Sequence, residues 1–196
     1  MKKSWIILGV VILLVIITYV SLKNGYNKMV ALDEQVKAQW AQVENVYQRR
    51  ADLIPNLVST VKGAADFEKT TLTQVIEARA KATQVKIDAS NLNEQTMRQF
   101  QESQGALTQA LSRLMVVSEQ YPNLKANQNF LDLQAQLEGS ENRITTERRT
   151  YNEVVQNYNT TIRSFPKNIF AGMFGFQPRP NFTAEAGADK APEVKF

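Results

Sequence analysis

Histidine and cysteine are both absent from this chain of 196 residues. Without them there is no Ser-His or Cys-His dyad, no thiol nucleophile, no histidine metal ligand and no histidine pH sensor. A disulfide framework is excluded too, and a cysteine-free chain fits cytoplasm or periplasm equally well. Glycine is sparse, at 8 residues, and no stretch alternates apolar and polar residues as a half-buried strand would. Charge of one sign is nowhere massed. The formal net charge of +4 arises from 23 Lys and Arg interleaved with 19 Asp and Glu, so no basic stripe follows a phosphate backbone and nucleic acid is not an expected partner. What remains is a hydrophobic fraction of 43%, enough for the packed core of one domain plus appendages.

Residues 5–22, WIILGVVILLVIITYVSL, form an uncharged run. As a helix rising about 1.5 Å per residue they span roughly 27 Å, close to the thickness of a bilayer core. Val20 and Leu22 are too large for a small-x-small cleavage site, so the run reads as a retained anchor, with Trp5 and Tyr19 at interfacial levels. Lys2 and Lys3 oppose Lys23 and Lys28, nearly a draw by the positive-inside rule. Two lysines ahead of an apolar run look like an export signal, which places the bulk of the chain outside the cytoplasmic membrane in a single-pass topology; a cytoplasmic bulk is the alternative.

Beyond Asn24-Gly25, apolar residues recur in steps of three and four at Leu32, Val36, Trp40, Val43, Tyr47, Ile54, Leu57 and Val61, one face of a long helix. The register passes through Pro55 unchanged, so a kinked but continuous helix is expected, ending at Gly63. Asp66 is the expected cap of a second helix carrying Leu72, Val75 and Ile76. Ser90-Asn91 with Glu94 has capping-box spacing for a third helix, whose seam runs Met97, Phe100, Gln104, Leu107, Leu111, Leu114, Ser118 and Tyr121 before Pro122. The fourth seam is Phe130, Leu133, Leu137, Ser140, Ile144, Glu147, Tyr151, Val154, Tyr158 and Phe165, stopped by Pro166.

The expected fold is therefore all-α: an N-terminal transmembrane helix, then an antiparallel four-helix bundle with long, coiled-coil-like helices. It divides into an anchor over residues 1–24, a bundle over 25–165, an aromatic Pro-Gly segment over 166–182 and a flexible tail over 183–196. Seams of this length can also pair between chains, so a homo-oligomer is an expected state.

The stretch RRADLIPNLVSTVKG, residues 49–63, places Arg49, Arg50 and Asp52 beside Pro55 within an apolar pattern. Arg50 falls on the seam between Tyr47 and Ile54, and a buried charge needs a partner, for which Glu141 and Glu147 on the fourth helix are the candidates. A network that fixes helix register is favoured over a catalytic site. Tyr151-Asn152 and Tyr158-Asn159 lie one heptad apart, so both tyrosines share a face; they could bind a peptide, but packing against the first helix is the default. Glu141, Glu147 and Glu153 read as a solvated face, because a carboxylate-bridged di-metal bundle requires Glu-x-x-His pairs. No catalytic residue, metal site or cofactor is expected. Phe170, Phe174 and Phe176, within FPKNIFAGMFGF, are candidate interface aromatics. In an up-down bundle the fourth helix returns to the membrane, so this segment either caps the bundle end or touches lipid.

The blocks YNKMV, AQW at Ala38 to Trp40, RRADLIPNLVSTVKG, YPNLKANQNFLDLQAQLEGSENRI and RRTYNEVVQNYN resemble the bacterial LemA family over nearly the whole chain. The resemblance implies a membrane-anchored helical bundle and carries over no catalytic residues. This chain departs from the family pattern at Ala64-Ala65 and Phe67, where relatives often have Tyr-Ala and a histidine. The expected function is a non-enzymatic scaffold or assembly protein of the envelope, self-associating or binding membrane partners, with stress response or quality control as its setting. The alternative is a ligand- or peptide-binding module, or an enzyme, built on the Arg, Asp and Glu residues named above.

Overall fold

A computed structural model describes residues 2–63 and 67–183. It is all-helical, with six helices and no strand among the described residues. Helix α1 (Lys2–Lys62) is a single element of 61 residues. It carries the apolar run out of the anchor, through Asn24-Gly25 without a break, and on into the bundle. The apolar side chains from Trp5 to Val20 are exposed along its whole circumference. From Met29 onward one stripe is buried, and it contains every expected seam position.

Pro55 lies inside α1 and has no N–H to give the carbonyl of Ala51 four residues earlier. Arg79 supplies the missing donor: its Nε donates to the Ala51 carbonyl at 2.8 Å. The proline thus opens a backbone acceptor, and a guanidinium from the next helix fills it. Arg49, Asp52 and Pro55 themselves face solvent. Asp52 accepts a hydrogen bond from Gln48.

Helix α2 (Lys69–Gln84) starts after Glu68; Asp66, the expected cap, lies outside the described residues. A 3-10 turn (Ala89–Asn91) leads to α3 (Glu94–Ser118). The cap of α3 is Asn93, not Ser90 or Asn91. Its side chain accepts from Gln95 and Thr96, and Thr96 returns the contact in a capping box. Asp88 instead caps the short turn by accepting from the Ser90 amide. Two Asx-type signals in close succession made the boundary ambiguous by two residues. Helix α4 (Pro122–Lys125), α5 (Gln128–Arg163) and α6 (Lys167–Met173) complete the chain.

Contacts between Gln39 and Glu147, and between Arg50 and Glu141, set α5 antiparallel to α1. The Ala51–Arg79 and Trp40–Ile87 contacts set α2 antiparallel to α1, and the Phe100 and Thr108 contacts set α3 parallel to it. The four long helices therefore run up and down in turn, and their seams close within one chain. In α3 the buried residues are Met97, Phe100, Gln104, Leu107, Leu111, Leu114 and Ser118, the expected set apart from half-buried Tyr121. In α5, Val155 takes the fully buried place expected for Val154. Phe165 is 81% exposed because the helix ends at Arg163 and the period ends with it.

Two apolar cores result. One, near the anchor, gathers Met29 through Tyr47 with Phe100, Ile144, Tyr151, Tyr158 and Phe182. The other, remote from it, gathers Ile54 through Val61 with Leu107, Leu114, Phe130 and Leu137. Phe67 is buried in the remote core with its ring 4.8 Å from that of Tyr121, a packing role.

Candidate functional site

Between the two cores lies a polar layer built on Arg50, whose side chain is 1% exposed. Its Nη1 donates to Glu141 and, at 2.8 Å, to Thr108 Oγ1. Its Nη2 donates to Gln104 Oε1 at 2.7 Å, and Tyr47 lies under the guanidinium carbon at 5.2 Å. Gln104 passes the chain on by donating to the Ala82 carbonyl. All four long helices are thereby tied at a single level. Glu147 is not a partner of Arg50. It lies farther along α5, where it accepts from Gln39 at 2.7 Å. A cleft of about 140 Å³ opens beside Arg50, but its one carboxylate, Glu141, is already ion-paired. Among the described residues no three His, Cys, Asp or Glu side chains converge as a metal set. The layer is suited to holding register.

A second constellation forms where α5 meets residues 176–183. This segment doubles back after α6 and runs extended, antiparallel to α5. The hydroxyl of Tyr158 donates to the Gln177 carbonyl, and that of Tyr151 to the Pro180 carbonyl, at 3.0 and 3.1 Å. Asn159 donates to the Arg179 carbonyl and accepts from the Arg179 amide. Asn152 makes the same pair of bonds with Phe182. The two Tyr-Asn units are seven residues apart on a helix, about 10.5 Å, and the residues they hold are three apart in an extended chain, about 9–10 Å. The repeat is therefore a clasp whose two jaws match the rise of a proline-rich strand.

The strap is locked at both ends. Arg179 donates to Asp33 at 2.9 Å and to the Ser90 carbonyl at 3.1 Å, joining strap, α1 and the turn before α3. Phe182 stacks on Trp40 with 6.0 Å between ring centroids and meets Tyr151 edge-on at 5.3 Å. The Arg148 guanidinium lies over the same ring, 4.9 Å from its centroid. The Thr183 carbonyl accepts from Gln101 and Arg148. The first part of the expected flexible tail is thus held, and residues 184–196 lie outside the described part.

Burial raises the Tyr151 hydroxyl well above the ordinary tyrosine value and raises Tyr158 too, helped there by the Asp33 charge. Both remain protonated donors at neutral pH. Burial also pushes the Asp33 carboxyl up, but the hydrogen bonds and charges of Arg179 and Lys37 outweigh it and leave its pKa below the ordinary value. The tyrosine rings pack as expected, while the peptide they hold is the chain's own. Asp33 and Arg179 were not singled out from sequence, and Asn152 and Asn159 were noted only as the second members of the Tyr-Asn pairs. The available signal was the asparagine after each tyrosine, an amide able to pair with both polar groups of a residue.

The aromatic segment divides by face. Pro166 and Phe170 line a cavity of about 350 Å³ against α1 at Leu22, Gly25 and Tyr26. Phe176 packs on the anchor-proximal core, and the Tyr26 ring meets Phe174 at 4.9 Å and Phe176 at 5.8 Å. Phe165, Ile169, Met173 and Phe174 remain exposed.

A sequence profile of the LemA family matches residues 39–196. The chain belongs to the LemA family. It is 27% identical over 195 residues to magnetosome protein MamQ 2 of Paramagnetospirillum magneticum, covering 91% of this chain and 72% of that protein. It is 24% identical to magnetosome protein MamQ of Magnetospirillum gryphiswaldense, covering 96% of this chain and 75% of that one. Protein LemA of Metamycoplasma hominis is 23% identical over 145 residues, 74% of this chain and 63% of its own length. In this LemA-family chain both constellations lie within the matched residues. RRADLIPNLVSTVKG supplies Arg50, and RRTYNEVVQNYN supplies Arg148 and both Tyr-Asn jaws. With its single N-terminal apolar helix, the chain is a bacterial membrane-anchored helical protein.

Proposed function

We propose that this protein is a non-enzymatic scaffold of the bacterial envelope, anchored in the cytoplasmic membrane with its bundle on the extracytoplasmic side. It assembles with copies of itself or with other membrane proteins. The observation that carries this reading is α1, one helix that is both membrane span and bundle spine. A rigid connection of this kind holds a domain at a set distance and orientation from lipid, which is what an assembly platform needs. The charged groups support it as well, since Arg50, Glu141, Asp33 and Arg179 are consumed by contacts within the fold. Relatives named for a cellular structure, the magnetosome, rather than for a reaction point the same way. Envelope quality control is the proposed setting. Crosslinking in native membranes followed by mass determination is the test; a strictly monomeric chain with no crosslinked partner refutes assembly. A reporter fused to the C-terminus, active only on one side of the membrane, tests the topology.

A second reading, recognition of extended peptides, is favoured by the clasp on α5, which reads main-chain groups at two points and takes one aromatic side chain into a pocket. A peptide with the sequence QPRPNFT, added to a Phe182→Ala chain, would bind and restore the Trp40 environment on this reading. No binding at millimolar peptide excludes it.

A further inference from the structure

We infer that α6 and its flanks form an amphipathic collar that lies in the headgroup layer of the membrane holding α1, preferring anionic lipid. The inference rests on the anchor reading of residues 5–22. Helix α6 packs on α1 at Leu22, Gly25 and Tyr26, immediately past the end of the apolar run, so its height relative to the bilayer is fixed by the span itself. Its inward side, half-buried Phe170 and buried Ala171, faces α1. Its outward side presents Ile169 and Met173, four residues apart on the helix and therefore on one face, with exposed Phe165 just ahead of the helix and half-exposed Phe174 just after it.

These side chains are 53%, 77%, 81% and 52% exposed, respectively. Elsewhere on the bundle the exposed large apolar residues Ile76, Val116 and Leu131 sit one each on α2, α3 and α5, which is ordinary for a soluble surface. Four such residues within ten positions, beside a membrane span, are not. The charged groups around it are basic: Lys23 and Lys28 on α1, Arg163 at the end of α5 and Lys167 at the start of α6. The nearest carboxylate on α1, Asp33, is already engaged by Arg179 and Lys37. Phenylalanine and methionine between lysines and an arginine is the composition that seats a short element at the boundary of headgroups and acyl chains. Continuity with the anchor selects lipid over a protein occupant, because any partner covering this face would have to share the same layer.

The chain contains no cysteine, so single cysteines placed at Phe165, Ile169 or Met173 can each carry an environment-sensitive fluorophore. Ile12→Cys, inside the anchor, and Val116→Cys, on the far end of the bundle, serve as references. Each variant is reconstituted in phosphatidylcholine vesicles with and without phosphatidylglycerol, with Trp40 emission checking the fold. Quenching by a shallow, lipid-borne nitroxide should be several-fold stronger at the three collar positions than at residue 116, and stronger again with phosphatidylglycerol. Collar labels as open to aqueous iodide as residue 116, while residue 12 stays lipid-quenched, overturn the collar and leave the anchor standing. Iodide access at residue 12 overturns the anchor and the collar together. Collar labels shielded from both quenchers show a protein occupant and overturn the lipid assignment. Equal quenching in both vesicle types overturns the anionic preference.

Discussion

Replacing Arg79 by methionine removes the side-chain donor to the Ala51 carbonyl and nothing else at that point of α1. Ala51 is 4% exposed, so its carbonyl has little water to turn to. A buried acceptor left without a donor costs about 1–3 kcal/mol, and the partly buried contact here places the expected loss in the lower half, about 1–2 kcal/mol. The cause of the orphan carbonyl is Pro55. In a Pro55→Ala chain the new N–H lies four residues after Ala51 and closes the helix bond itself. Arg79→Met in that background should cost less than about 0.5 kcal/mol, leaving a coupling of roughly 1 kcal/mol between residues on different helices. Urea unfolding of the detergent-solubilised chain, followed by the emission of buried Trp40 with Trp5 a common background, measures all four corners of the cycle. For a chain of this size each kcal/mol also moves the melting midpoint by about 2–4 °C. Equal costs of Arg79→Met in both backgrounds would refute the claim that the guanidinium replaces the bond proline cannot make.

Glu141→Ala strands the Arg50 charge in the polar layer, and because the Glu141 side chain is 41% exposed and Gln104 and Thr108 remain, the expected cost is about 2 kcal/mol rather than the larger penalty of a fully buried pair. Arg50→Met, which removes the charge, should lie within about 1 kcal/mol of wild type; a larger loss than for Glu141→Ala in thermal unfolding would contradict this order. Phe182→Ala should lower stability by about 2–4 kcal/mol and shift Trp40 emission, while Asn152→Ala should cost about 1–2 kcal/mol for its two main-chain bonds, both readable by urea titration. The Asp33 pKa lies below its ordinary value of 3.8 in the fold, so its contribution is fully present above that pH and is lost as pH falls through the folded value. The stability gap between wild type and Asp33→Asn should therefore be widest near neutral pH and close in melts carried below pH 3.8. Asn93→Ala should remove about 1 kcal/mol of helix capping.

The helices of this protein were legible because each buries one narrow stripe, and steps of three and four name that stripe directly. The α1 seam from Leu32 to Val61 and the α3 seam from Met97 to Ser118 could be written down residue by residue. Arg50 was legible for the same reason: a charge on a seam announces a partner. Which carboxylate answers was not, since Glu141 and Glu147 both lie on the inner side of α5 and only the vertical offset of α1 against α5 separates them. The clasp was half legible. Periodicity placed Tyr151 and Tyr158 on one face, but residues 176–183 have no period at all, and a segment held by main-chain groups leaves little trace in side-chain pattern. Pro55 showed the reverse case. It was visible as an interruption, but its complement, Arg79, lies on another helix and follows only from geometry.

The unbroken α1 also has a mechanical consequence. From residue 22 to residue 62 it extends about 60 Å beyond the bilayer as a single rod. Transmembrane helices commonly tilt by about 20°, and that angle at the base displaces the far end of such a rod by roughly 20 Å. With no hinge at Asn24-Gly25 to absorb the rotation, changes in bilayer thickness that alter the tilt are delivered to the remote core as a sweep comparable to the width of the bundle itself. The domain behaves as the pointer of a gauge whose needle is set in lipid.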